Sequence, residues 1–123
     1  LRRTHAKYLN ERLSKIPGIK IPQELPGHFS VYQMYTLTLP NQTTRDQLQQ
    51  HLTKRRIMSK VYFHPVHLKT IYQKSYGFKQ GDLPQTESLS QRVLNIPLYP
   101  SMTREERDYL IESIEIFKAE KTE

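Results

Sequence analysis

The apolar positions of this chain change period several times, and each change marks an element. Ala6, Leu9, Leu13 and Ile16 recur at intervals of three and four, which puts them on one face of a helix over residues 1–16. Arg2, Arg3, Lys7 and Arg12 surround that face, and Pro17-Gly18 stops it. Residues 19–26 hold two further prolines and read as an extended connector. In HFSVYQMYTLTL, residues 28–39, the period drops to two. Phe29, Val31, Tyr35, Leu37 and Leu39 share a face broken only by Gln33, and aromatic and β-branched residues dominate, so a strand is predicted up to Pro40-Asn41.

A second helix follows, capped by Thr43 or Thr44, with Gln47 three residues after Thr44 as in a capping box. Leu48 and Leu52 form its thin apolar stripe, and Lys54, Arg55 and Arg56 gather at its end, where cations offset the helix dipole. Ile57, Val61 and Phe63 then alternate as a second strand. Residues 72–80 are polar and read as irregular. Asp82 and Leu83-Pro84 open a third helix carrying Leu89 and Val93 on one face. NIPLYP is a short strand between prolines. Thr103 and Glu106 form a capping box ahead of a last amphipathic helix with Leu110, Ile111, Ile114 and Phe117. Glu105 and Glu106 at its start and Lys118 and Lys121 at its end suit the dipole. The expected fold is an α/β (α+β) domain in which helices cover a small sheet of about three strands. The two strands joined through a helix can run parallel.

The length, 123 residues, suits one domain with one modest core. No apolar run approaches the roughly 20 residues that span a bilayer, so no membrane partner is expected. The absence of cysteine excludes disulfides and thiolate-bound zinc and is compatible with a cytoplasmic setting. The net charge of +7 favours anionic partners. With Leu1 already inside a helical pattern, the chain is expected to be a piece of a longer polypeptide, and residues 1–16 the link to a missing domain.

VYFHPVHLKTIY, residues 61–72, carries the chain's most suggestive chemistry. His64 and His67 are three apart, but Pro65 between them argues against a helix, and no acidic residue lies in the stretch to complete a metal site. No nucleophile elbow is present, and four glycines build no phosphate-cradling loop. The KRR cluster at 54–56 and the strand aromatics leave a basic nucleic-acid-binding module as an alternative, although the glycine-aromatic signature of the common RNA-binding sheet is missing.

From Val61 onward several motifs occur together. Tyr62-Phe63 runs into Pro65, His67-Leu68 and Tyr72. Gly81-Asp82-Leu83-Pro84 with Glu87 follows, then Leu94-Asn95 with Pro97 to Pro100, then Met102-Thr103 with Glu105-Glu106. VYQMYTLTL, Arg45-Asp46 and the opening RR-x-x-A-x-x-Y helix fit upstream. In this order and spacing the chain resembles the C-terminal small domain of the DegT/DnrJ/EryC1/StrS sugar aminotransferases, most closely the perosamine synthase-like members. Arg56-Ile57 stands where the family often has Gly-Ile, and Thr86-Glu87 where it often has Ala-Glu.

The resemblance implies a fold-type I pyridoxal 5'-phosphate enzyme, a homodimer when full length. It would move an amino group from L-glutamate to a nucleotide-linked keto sugar, with no nucleic acid involved. The Schiff-base lysine and the other cofactor contacts would lie outside this chain, so the chain alone should be inactive. His67 becomes the expected sugar-facing residue, Tyr62 and Phe63 the walls of the substrate site, and His64 a surface residue. A non-catalytic nucleotide-sugar sensor is the other alternative.

Overall fold

The computed structural model of the chain describes residues 1–120. Its elements are α1 (Arg2–Leu13), β1 (Tyr35–Thr38), α2 (Gln42–Lys54), a 3₁₀ turn (Val66–Leu68), α3 (Thr70–Tyr76), α4 (Pro84–Arg92), β2 (Val93–Ile96) and α5 (Arg104–Ala119). Lys121 lies outside the described residues.

The two strands pair antiparallel, with Tyr35 opposite Ile96, Thr36 opposite Asn95 and Leu37 opposite Leu94. Side chains alternate across a pleated sheet, so Tyr35, Leu37, Leu94 and Ile96 share one face. All four are buried, together with Ala6, Leu9 and Leu13 of α1, Leu48 and Leu52 of α2, and Leu110, Ile111, Ile114 and Phe117 of α5. The helical stripes read from the sequence therefore meet on one side of a small sheet, as expected for this fold class. α5 packs against both α1 and α2. Arg12 Nη2 donates to Glu115 Oε1 at 3.0 Å, and Tyr8 Oη donates to Asp108, tying α1 to α5 at the surface. The capping box of α5 forms as predicted: Thr103 Oγ1 accepts from Glu106 N and Glu106 Oε2 accepts from Thr103 N.

Several element boundaries differ from the sequence reading. α1 ends at Leu13, although Ile16 remains buried in the turn that follows. The long strand of residues 28–39 shortens to Tyr35–Thr38, because Tyr32 adopts φ 47 and turns the chain. That turn buries Tyr32 and leaves Phe29 and Val31 exposed, breaking the face they were expected to share with Tyr35. The N-cap of α2 is Asn41 rather than a threonine. Its side chain accepts from Thr44 N at 2.8 Å, which puts Thr44 inside the first turn. Residues 57–63 do not pair along their length. They join the sheet through one bridge, Lys60 to Asn95, on the side of β2 away from β1. Both flanking segments run antiparallel to β2, so β1 and residues 57–63 share a direction with β2 between them. Residues 70–76, read as mostly irregular, form α3, and Val93 starts β2 instead of extending α4. α3 buries none of its residues, so no core-facing period was there to be read, and Leu89, read as part of the apolar face of α4, is exposed.

Arg56 holds φ 59 just past the end of α2, the left-handed conformation that favours glycine. Its side chain departs from the glycine common at this point in the resembling motif. Arg56→Gly should therefore raise stability by about 0.5–1 kcal/mol, the relief of left-handed strain less the added freedom of the unfolded chain. A urea titration of the variant beside the parent chain checks the sign.

Candidate functional site

The HPVH stretch is held between the end of the sheet and α4. Pro65 is buried and precedes the 3₁₀ turn, and Leu68 N and Lys69 N donate back to Pro65 O and Val66 O at 3.1 and 3.0 Å. That turn carries His67 inward. Its residue exposure is 5%, and Nε2 donates to Glu87 Oε1 at 2.9 Å. The same carboxylate accepts from Gly81 N at 2.9 Å to Oε1 and 3.0 Å to Oε2, and from Leu83 N at 3.3 Å. The Phe78 ring stands edge-on to the His67 ring, with centroids 6.1 Å apart. Three donors on one carboxylate thus gather the 3₁₀ turn, the loop of residues 77–83 and the start of α4.

Glu87 is held below the ordinary glutamate range by these bonds, first by His67, then by the Gly81 amide, against a smaller opposing effect of burial. With its folded-state value lowered, its contribution to stability is complete above the unfolded value of about 4.3 and is lost as pH falls through the lowered one. The Glu87 carboxyl carbon should titrate below the ordinary glutamate value in a ¹³C NMR titration, and protection of the Gly81 amide should disappear with the same midpoint.

Tyr62 and Phe63 stand apart from His67. They are 40% and 66% exposed, and their rings stack with centroids 4.9 Å apart. Tyr62 lines a cleft of about 540 Å³ between residues 56–62, the end of β2 and the start of α5. All three methionines of the chain, Met34, Met58 and Met102, line it, with Arg56 and Lys60. Phe63 instead borders a second cleft of about 360 Å³, shared with Gln42, Arg45, His64, Glu87 and Gln91. His64 is exposed and its Nδ1 lies 3.2 Å from Pro65 O. The nominated trio is therefore distributed over two clefts and a buried latch. The structure does not bring the three rings around one point.

Two residues central to this arrangement were given no role from sequence. Glu87 lies 20 positions from His67, and nothing in periodicity links them. Asn95 is buried, accepts from Thr36 Oγ1 at 2.6 Å and donates from Nδ2 to Lys60 O at 3.4 Å. The only trace of either was its place in a recurring motif. Among the described residues, no group of three or more His, Asp or Glu side chains could hold a metal ion, and no helix is long and apolar enough to cross a membrane.

The model of the DegT/DnrJ/EryC1/StrS aminotransferase family matches residues 1–115. The chain belongs to this family. A pleiotropic regulatory protein of Geobacillus stearothermophilus is 33% identical over 119 residues, 94% of this chain but 31% of that protein. The GDP-perosamine synthase of Escherichia coli O157:H7 is 29% identical over 103 residues, 84% of this chain and 27% of its own length. Among solved structures, Streptomyces venezuelae DesV in complex with a ketimine intermediate aligns with TM-score 0.86 and 28% identity, over 95% of this chain and 31% of that one. The chain thus spans under a third of these relatives.

DegT/DnrJ/EryC1/StrS aminotransferases depend on pyridoxal phosphate, which needs a lysine amine enclosed beside a carboxylate that pairs with the pyridine nitrogen. The residues present here do not fit that group. Lys60 is the lysine that lines either of the two clefts above, and it is exposed. The carboxylate of its cleft, Glu106, is occupied in the capping box of α5.

Proposed function

We propose that this chain is the small-domain part of a cytoplasmic, homodimeric nucleotide-sugar aminotransferase that passes an amino group from L-glutamate to a nucleotide-linked keto sugar. The observation that carries this reading is the match of residues 1–115 to the aminotransferase family, combined with a span of under a third of each relative. Pyridoxal phosphate would be held by parts of the intact protein outside this chain, in keeping with the poor fit of the residues here. Tyr62 and Phe63 are assigned to the walls of the sugar site, and His67 to its edge, where an imidazole can donate from one nitrogen and accept at the other. Val66, Ile71, Tyr76 and Leu83 lie exposed on the same stretch, which supports a surface covered in the intact protein.

Two measurements test this. The purified 123-residue chain, mixed with pyridoxal phosphate, should show neither the visible absorbance of lysine-bound cofactor nor transamination. The intact protein should show both, and His67→Ala in it should lower turnover while cofactor binding persists. Activity in the chain alone, or unchanged turnover in the variant, contradicts the respective assignment.

A second reading is supported by the Geobacillus relative described as a regulatory protein. On that reading the intact protein is a sensor that binds a nucleotide sugar without turning it over. Binding by calorimetry without amino transfer from glutamate would select it.

A further inference from the structure

The latch around Glu87 does two things with one carboxylate, and both follow from donor and acceptor inventory. An ionised carboxylate only accepts hydrogen bonds. The nitrogen of His67 that faces it at 2.9 Å must therefore carry the proton, which fixes the neutral ring as the Nε2–H tautomer. Nδ1 is then an acceptor, and it has no hydrogen-bond partner among the described residues. The same carboxylate takes the amides of Gly81 and Leu83. No residue of α3 is buried and residues 77–83 are all exposed, so packing does little to hold this segment.

We propose that Glu87 is the positioning residue of the candidate site, setting at once the tautomer of His67 and the path of residues 77–83. On the aminotransferase reading above, on which this rests, Nδ1 of His67 is the acceptor offered to a sugar hydroxyl. Glu87 acts only through His67 and the loop, without touching the substrate. The chemistry recognised is a hydroxyl donor, which a ring with the opposite tautomer would meet with a second donor.

The intact protein, labelled with ¹⁵N-histidine, tests the proposal with Glu87→Ala and Glu87→Gln. In the parent protein His67 should show the Nε2–H tautomer, and the Gly81 and Leu83 amides should exchange slowly. Glu87→Ala should average the tautomers and speed exchange at both amides about tenfold or more, the loss expected of hydrogen bonds to a charged acceptor. It should also raise KM for the keto sugar about tenfold while kcat changes by less than about threefold. Glu87→Gln, whose single oxygen can occupy the Oε1 position shared by His67 and Leu83, should keep the tautomer and the slow exchange at Leu83, while its amide nitrogen at the Oε2 position meets the Gly81 N–H and speeds exchange there.

A tautomer and exchange pattern unmoved by Glu87→Ala overturns the proposal. So does a Glu87→Gln protein that averages the His67 tautomers as Glu87→Ala does, or a tautomer lost with KM unchanged. Failure of the parent protein to transaminate any keto sugar overturns the aminotransferase reading instead. The tautomer and exchange measurements still decide whether Glu87 sets His67 and the loop.

Discussion

Tyr35→Ala should destabilise the chain by about 3–5 kcal/mol, the range for truncating a fully buried aromatic ring. Tyr35 has no exposure and sits where three parts of the core meet. Its backbone pairs with Ile96 of β2, its ring stacks on Tyr32 with centroids 6.4 Å apart, and its hydroxyl donates to Asn10 Oδ1 of α1 at 2.6 Å. Burial pushes the phenol far above its ordinary value, so the hydroxyl stays a donor at any working pH. Removing the ring opens a cavity between β1 and α1 and leaves the Asn10 acceptor unpaired. Small domains hold only about 5–15 kcal/mol in total, so this one change removes a large share. Tyr35→Phe keeps the ring and loses the hydrogen bond, and should cost about 1 kcal/mol. Urea unfolding of the three proteins separates the packing contribution from the polar one. A Tyr35→Ala midpoint equal to that of Tyr35→Phe would mean the ring is not a core element.

Asn95→Ala should cost about 1–3 kcal/mol, and its effect should be concentrated on residues 57–63. Asn95 lies at the centre of β2, with Thr36 on one side and Lys60 on the other. Lys60 reaches the sheet through two backbone bonds to Asn95, of 2.8 and 3.0 Å, with the side-chain amide adding a third bond, as the second donor to Lys60 O. Alanine leaves the Thr36 hydroxyl without its acceptor and the Lys60 carbonyl with one donor. Asn95→Asp is the sharper test, because it places a carboxylate oxygen against that carbonyl and should destabilise more than alanine at neutral pH. Tyr62 and Phe63 follow directly on this attachment. Amide exchange at residues 58–63 should therefore rise in both variants before β1 is affected. Uniform loss of protection across the whole sheet would contradict the view of Lys60 to Asn95 as a local tether.

Tyr62 and Phe63 were singled out only through the motif that carries the family resemblance, since by period alone Phe63 reads as a member of the alternating second strand. Their stacking on each other, and their division between two clefts, depended on how residues 57–63 meet β2. His67 was legible as an unusual residue, but its burial and its bond to Glu87 were not. A contact across 20 positions leaves no periodic mark. Phe29 and Val31 misled the strand reading for a related reason. Their period matched Tyr35 and Leu37, but the left-handed turn at Tyr32 reverses which side faces inward, and a backbone dihedral leaves no trace in a hydrophobic pattern.

The sequence by itself determined what depends on neighbours along the chain. The apolar stripes of α1, α2 and α5, the Thr103–Glu106 capping box, the alternation of Tyr35 and Leu37 and the family motifs all have partners within a few residues, or need only an order and a spacing. The tertiary structure alone decided the pairing of β1 with β2, the single bridge at Lys60, the left-handed Arg56 and the carboxylate of Glu87 around His67. Each of these joins groups distant in sequence, or sets a dihedral that no side-chain period reports. The energy that selects them comes from burial and hydrogen bonding realised only once the whole core closes.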